Sequence, residues 1–310
     1  MRIILTDKKL NTDLFPEDVT VQSVSYKSMV AYNGNSDVIA LAGSRAMAIK
    51  AESMNLPGLK FVQLTSAGFD GVPIKKYAAK NIPVANAGSV YSVPIAETVV
   101  FGMLMISKKI HDNPNNRHFK IQRHYTTITE LFEKNVLIMG AGNIGTAVAN
   151  RLNGFEMYID GYDPFCPDKP QYREIIKTRE ELLQKIDKYD YIISTLPDNE
   201  QTQKFINAEL FSNMKDTAII INVGRRAVFN EKDFYQVLKS KRIGGAVLDM
   251  FEKIPNPLQN KFRRLSNVVV LPGVAAISQE VNIRLVDHMS KNLQALFDGK
   301  ELMNVVNEVK

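Results

Sequence analysis

Gly140-Ala141-Gly142-Asn143-Ile144-Gly145 follows directly on the apolar run Val136-Leu137-Ile138-Met139, and a helical pattern over 146–152 comes next. Strand, Gly-x-Gly-x-x-Gly and helix in that order form a dinucleotide fingerprint. Gly140 permits a tight turn, Gly142 lets backbone approach a pyrophosphate, and Gly145 lets the helix pack on the strand. The helix start at Asn143 and Ile144 then offers N–H groups to the phosphates. A second strand over 157–162 leads into Asp163-Pro164. Asp163 stands 18 residues beyond Gly145, near the spacing of a carboxylate that holds the adenosine ribose hydroxyls. Its charge repels a 2′-phosphate and no Arg follows at once, so NAD is expected over NADP. The competing reading makes Asp163 the start of a turn before proline, with Asp160 as the alternative ribose ligand.

These residues need a sheet to hold them. Residues 136–139, 157–162, 191–194, 218–222, 245–248 and 268–271 read as six strands with helical patterns between them, as in a doubly wound dinucleotide-binding sheet. Earlier, 2–5, 19–24, 38–41, 60–64 and 82–85 read as strands and 46–54 as a helix. That alternation implies another parallel sheet wrapped by helices. Residues 93–110 read as a long apolar helix leaving this first unit. A last helix over 279–297 stops at Asp298-Gly299-Lys300, where glycine is a natural end. It has no place in the second sheet, so it is expected to return to the first domain. The expected fold is α/β with two doubly wound domains. One is a discontinuous flavodoxin-like substrate domain, 1–98 and 279–310; the other is a Rossmann NAD-binding domain, 99–278. A cleft between them is the expected small-molecule site.

The bulk composition narrows the partners. With 310 residues the chain suits two domains or one large one, and with 45% of them hydrophobic it can bury a sizeable core. A net charge of +6, scattered without a basic run, argues against nucleic acid. The single Cys166 excludes an intramolecular disulfide and fits a reducing, cytoplasmic location. Its surroundings, Asp-Pro-Phe-Cys-Pro, suggest a turn and no nucleophile. The short apolar opening, Arg2-Ile3-Ile4-Leu5, is not expected to be a signal peptide. No run is expected to reach the roughly 20 apolar residues of a membrane helix.

Read in order, further segments carry a resemblance. They are Gln63-Leu64-Thr65-Ser66-Ala67-Gly68-Phe69-Asp70, Pro94-Ile95-Ala96-Glu97, the glycine fingerprint, and Thr195-Leu196-Pro197 with Thr202 five residues on. Ile221-Asn222-Val223-Gly224-Arg225-Arg226, Val247-Leu248-Asp249-Met250-Phe251 and Val268-Val269-Val270-Leu271-Pro272 complete the series. In order and spacing the chain resembles the D-isomer-specific 2-hydroxyacid dehydrogenase family over nearly its whole length. The resemblance implies an NAD-dependent oxidoreductase that moves a hydride between nicotinamide and a small 2-hydroxy or 2-oxo acid. It implies that the amides of Ser66, Ala67 and Gly68 hold the substrate carboxylate, with Tyr91 in a loop facing the cleft. Arg225 is the expected catalytic residue, forking the carboxylate and polarising the neighbouring carbonyl. Thr195, Leu196, Pro197, Thr202, Val223, Gly224 and Gly273 are expected around the cofactor, and Asp249 on the nicotinamide amide. Each has a plainer reading: a rigid proline loop at 197, a strand-end cap at 249. Arg226 stands where the family usually has glycine, and either adds a second charge near the cleft or points to solvent. Family members pair through the cofactor domain, so a homodimer using the apolar 99–106 helix is expected.

Two departures follow from the same resemblance. The family's acid/base histidine comes just after the proline that ends the last strand, and here Gly273 follows Pro272. The glutamate that supports it falls at Ile254, before Pro255. Losing a positioned proton donor costs roughly 10²–10⁴ in rate, and a guanidinium does not release its proton near neutrality. Three readings remain open. The acid is relocated to Tyr91, Glu252, or one of His111, His118 and His124, with His288 read as structural. The chain is a catalytically impaired NAD-binding sensor or interaction protein. Or Gly273 vacates space for a bulkier substrate that supplies its own proton.

Overall fold

The computed structural model describes residues 1–110, 127–249 and 261–307. The chain forms two compact units, Met1–Tyr91 with Ser278–Lys310, and Ser92–Ile277. The first cut falls a little before the expected boundary at 98, inside a helix.

The first unit is a five-stranded parallel sheet. Its strands are β1 (Arg2–Thr6), β2 (Val19–Ser23), β3 (Val38–Gly43), β4 (Phe61–Leu64) and β5 (Val84–Ala85), in the order β2-β1-β3-β4-β5. β3 and β4 are buried throughout, as expected of parallel strands covered on both faces. Strand β5 is shorter than the expected 82–85, because Pro83 offers no N–H and only its carbonyl pairs, with Val62. Helices α1 (Arg45–Glu52) and α2 (Ile74–Ala79) connect these strands. The last helix, Gln279–Asp298, belongs to this unit: Val281, Leu285, Met289 and Leu293 pack with Ile4, Ala40, Phe61 and Ala85. It ends at Gly299 with φ +65, the left-handed cap that glycine adopts without steric cost.

After that cap the chain makes a contact no periodicity announces. Val305 bridges Ala85 in antiparallel sense, Val306 N donates to Val84 O, and Asn307 holds both Val84 N and Ile82 O.

Helix α3 (Gly88–Ser107) starts five residues before the expected 93 and runs through Pro94. Proline removes the bond its N–H would give to the carbonyl four residues back. That carbonyl, on Val90, instead accepts from Arg284 Nε at 3.4 Å. The expectation that no run reaches membrane-helix length needs correcting: α3 has 20 residues, and its most apolar 18-residue stretch has a mean hydropathy of 1.6, enough to cross a membrane by length and composition. Half of it is buried within the protein, with Val99, Met103 and Ile106 sequestered and Gly102 set tightly against Val247.

The second unit is a seven-stranded parallel sheet, one strand more than expected. Its strands are β6 (Asn135–Met139), β7 (Tyr158–Tyr162), β8 (Ile175–Ile176), β9 (Tyr191–Ser194), β10 (Ile219–Asn222), β11 (Gly245–Leu248) and β12 (Val268–Val270). They run in the order β12-β11-β10-β9-β6-β7-β8. The extra strand, β8, pairs with the end of β7 through only two residues, too few to show a period. The order reverses direction beside β6, the position where doubly wound sheets bind ligands beyond their strands' carboxyl ends. Helix α4 (Asn143–Leu152) follows β6.

Candidate active site

Each fingerprint glycine has a separate steric reason. Gly140 follows β6 with φ +100, and a Cβ there would lie 2.6 Å from Thr195 Oγ1. A Cβ on Gly145 would collide with the Gly140 carbonyl oxygen, so helix and turn touch backbone to backbone. Gly142, the N-cap of α4, has nothing within 4 Å of that point. Two of the three are needed by the fold, and the third keeps a space open. The N–H groups of Ile144 and Gly145 make no hydrogen bond to any described residue, as the first turn of a helix requires. Open space over unpartnered amides at a helix start fits a diphosphate.

Asp163 serves the turn as well as standing at its mouth. Its Oδ2 accepts from Ala141 N at 3.0 Å, and its Oδ1 accepts from Phe165 N and Cys166 N, both at 3.0 Å. A carboxylate has about four acceptor positions. Three are spent on amides, which leaves one, on Oδ2, for a ribose hydroxyl. Asp160 has no such capacity. It is buried beneath Arg173, Lys188 at 2.9 Å and the Tyr189 hydroxyl at 2.9 Å. Burial and that carboxylate push the Tyr189 hydroxyl pKa up, so it remains a donor.

Lys169, which the sequence reading did not single out, donates to Ala141 O at 2.7 Å and to Thr146 Oγ1 at 3.2 Å. Cys166 Sγ approaches the same carbonyl at 3.4 Å. Only its position six residues beyond Asp163 could have flagged this lysine.

The remaining residues expected around the cofactor gather at the carboxyl ends of β9, β10 and β11. Thr195 Oγ1 donates to Gly140 O at 2.9 Å, joining the end of β9 to the glycine turn. Leu196 and Val223 are buried. Gly224 lies so close to Leu196 that a Cβ would sit 2.9 Å from the Leu196 carbonyl oxygen. Thr202 donates to Pro197 O at 2.6 Å and accepts from Asn199 N at 3.0 Å. It closes the Pro197 loop.

Arg225 is half-buried and extended at the end of β10, with Nη1 3.4 Å from Gly224 O. Arg226 does not point to solvent. It pairs with Glu231, which Lys261 also reaches at 2.9 Å, so its charge is met locally.

Asp249 is buried, and its two oxygens accept from Val274 N at 3.0 Å and Ala275 N at 3.2 Å. The carboxylate thereby fixes the turn at Gly273, whose φ is +76. A side chain in that region costs roughly 1–2 kcal/mol. Gly273→Ala is therefore expected to lower the melting temperature by about 2–8 °C. An unchanged melting temperature would show that the turn relaxes around a Cβ.

In the first unit the loop after β4 has an unusual division of labour. Four consecutive carbonyls are all taken. Thr65 O accepts from the Tyr91 hydroxyl at 2.5 Å, Ser66 O from Ala87 N at 3.0 Å, Ala67 O from Asn86 Nδ2 at 2.8 Å, and Gly68 O from Ser66 Oγ at 2.6 Å. The N–H groups of Ser66, Ala67, Gly68 and Phe69 make no hydrogen bond to any described residue, and all four residues are partly exposed. A turn that hides its acceptors and shows its donors suits an anion. Tyr91 spends its proton on Thr65 O, and burial pushes its pKa up; both make it a poor acid.

His288 is buried with Nε2 3.1 Å from the Asn86 carbonyl oxygen, and burial pushes its pKa down, as a structural histidine requires. His111, His118, His124, Glu252 and Ile254 lie outside the described residues.

Residues 100–275, over half of the chain, match the family model described as the D-isomer specific 2-hydroxyacid dehydrogenase, NAD binding domain. The chain belongs to the D-isomer-specific 2-hydroxyacid dehydrogenase family. It is 30% identical over 274 residues to a glyoxylate reductase of Thermofilum pendens, covering 84% of this chain and 78% of the relative. It is 28% identical to glyoxylate/hydroxypyruvate reductase A of Arabidopsis thaliana, covering 90% and 89%. Among solved structures, the NADPH-dependent glyoxylate/hydroxypyruvate reductase of Sinorhizobium meliloti, in complex with NADP and malonate, aligns with a TM-score of 0.76. That alignment has 25% identity and covers 98% of this chain and 96% of the other. The fold is that of the family, and the second unit is its nicotinamide-dinucleotide domain.

Proposed function

We propose that the protein reduces a small 2-oxo acid to the 2-hydroxy acid with NADH. The observation that carries this reading is the Thr65–Gly68 run of occupied carbonyls beside four N–H groups with no partner among the described residues, which suits a carboxylate, in a chain whose other unit holds a dinucleotide turn. The nicotinamide, when bound, supplies the hydride. Ser66, Ala67 and Gly68 hold the substrate carboxylate through their backbone. Arg225 contributes a planar fork that binds the carboxylate side and draws electron density from the 2-oxo carbon. Its proton is not available, and Gly273 has none to give, so the proton for the new hydroxyl comes from water or another side chain.

Relatives named for glyoxylate and hydroxypyruvate support a two- or three-carbon substrate. The single acceptor position left on Asp163 supports NADH over NADPH, since a 2′-phosphate would remove the hydroxyl and meet a fixed negative charge. Phe101, exposed on α3, supports a homodimer formed through the second unit.

Oxidation of NADH and of NADPH against a panel of 2-oxo acids tests the reading. Turnover of glyoxylate or hydroxypyruvate is expected, with kcat/KM for NADH at least about tenfold above NADPH. Asp163→Asn should narrow that ratio severalfold, by removing the charge that repels phosphate. Tight NADH binding with no turnover of any 2-oxo acid would refute the proposal.

A further inference from the structure

The geometry points to Tyr91 and Asn86 as positioning residues that turn the loop after β4 into a carboxylate receptor, each by capturing a backbone carbonyl. This rests on the proposed function, in which the same loop holds the substrate carboxylate.

The argument starts from the peptide plane. In a planar trans peptide, the carbonyl of one residue and the N–H of the next point in opposite directions. A donor that fixes a carbonyl on one side therefore aims the following N–H to the other. The Tyr91 hydroxyl, 2.5 Å from Thr65 O, aims the N–H of Ser66. Asn86 Nδ2, 2.8 Å from Ala67 O, aims the N–H of Gly68. Between them, Ala87 N on Ser66 O aims the N–H of Ala67, and Ser66 Oγ on Gly68 O aims that of Phe69. Two of these four donors are side chains from elsewhere in the chain, and those two can be removed by substitution.

Both are themselves well fixed. Asn86 Oδ1 accepts from Gly88 N at 3.0 Å, its own N–H donates to Asn304 O at 3.0 Å, and its carbonyl accepts from His288. The C-terminal segment thus reaches the receptor through one asparagine. Tyr91 stands in the first turns of α3, one residue beyond Val90, the carbonyl that Arg284 satisfies. Neither side chain needs to touch substrate. Without them the Thr65 and Ala67 carbonyls lose their partners, and a peptide free to rotate presents an acceptor where the carboxylate needs a donor.

The test compares oxamate, an unreactive carboxylate, with its neutral counterpart oxamide. Both are titrated by calorimetry into NADH-loaded protein, alongside steady-state kinetics with glyoxylate. Wild type should bind oxamate at least about tenfold more tightly than oxamide. Tyr91→Phe deletes one oxygen. Asn86→Asp keeps the acceptor for Gly88 N and deletes the donor to Ala67 O, and titration in 0.5 M salt screens its added charge. Each variant should weaken oxamate binding and raise KM for glyoxylate by about five- to tenfold, with kcat and NADH affinity changed less than about twofold.

Wild-type oxamate affinity in both variants would overturn the inference while leaving the carboxylate turn in place. So would parallel losses in oxamate affinity, NADH affinity and melting temperature. If wild type binds oxamide as well as oxamate, the turn is no carboxylate receptor and the proposed function itself falls. Tyr91→Phe carries the test alone if Asn86→Asp does not fold.

Discussion

Replacing Gly142 by alanine should leave the protein folded and weaken NADH binding by at least about tenfold, whereas alanine at Gly140 or Gly145 should cost stability first. The three glycines share one motif but not one role. A methyl group at Gly145 meets the Gly140 carbonyl oxygen, which is backbone and cannot move aside. At Gly140 it meets Thr195 Oγ1 at 2.6 Å, in a residue already at φ +100. Overpacking of this kind costs about 1–3 kcal/mol, or more where strain adds, enough to lower the melting temperature by several degrees. At Gly142 nothing lies within 4 Å, so alanine meets no clash and costs only the N-cap preference for glycine, up to about 1 kcal/mol. The methyl group instead occupies the space where a diphosphate must approach the amides of Ile144 and Gly145. Losing one charge-assisted hydrogen bond of about 1.5–3 kcal/mol corresponds to tenfold or more in Kd. Thermal melting and NADH fluorescence titration on the three variants check this. Equal stability losses in all three would mean that Gly142 is structural, and the cofactor reading of the turn would lose its support.

Arg225→Ala should lower kcat/KM for the 2-oxo acid by about 10²–10³-fold, the scale for removing one preorganised donor from developing negative charge. NADH affinity should change less than about threefold. Arg225→Lys should fall between, because an ammonium keeps the charge but not the planar fork. The neighbouring arginine is the natural control. Arg226 is paired with Glu231 and shares that carboxylate with Lys261, so Arg226→Ala should act on stability and leave keto-acid kinetics nearly intact. Comparable kinetic losses in the two alanine variants would remove the reason for assigning the chemistry to Arg225.

Much of this is legible in the sequence itself, for a physical reason. Strands buried on both faces announce themselves as apolar runs, and β9 and β11 begin and end where those runs do. Glycines forced by backbone contact also write themselves into sequence, as Gly140 and Gly145 do. What escaped was set by contacts between distant residues. Strand β8 is two residues long and exists because it pairs with the end of β7. Nothing local to Asn304–Asn307 foretells its place beside β5. Pro94 suggests a helix start near 93, yet Arg284, nearly two hundred residues later, meets the carbonyl the proline leaves unbonded. The left-handed turn at Gly273 and the amides that Asp249 holds there were equally invisible. Asn86 reads as an ordinary turn residue until its amide is seen on Ala67 O.

The central claim is that hydride passes between the nicotinamide and carbon 2 of a 2-oxo acid on this chain. Reducing glyoxylate and hydroxypyruvate with NADH deuterated at the transferable C4 position, then locating the label by NMR, tests it directly. The prediction is one deuterium at carbon 2 of the hydroxy acid, in a single enantiomer for hydroxypyruvate, with the same labelled product formed about 10²–10³-fold more slowly in Arg225→Ala. Product without deuterium, or NADH bound with no product at all, would contradict it.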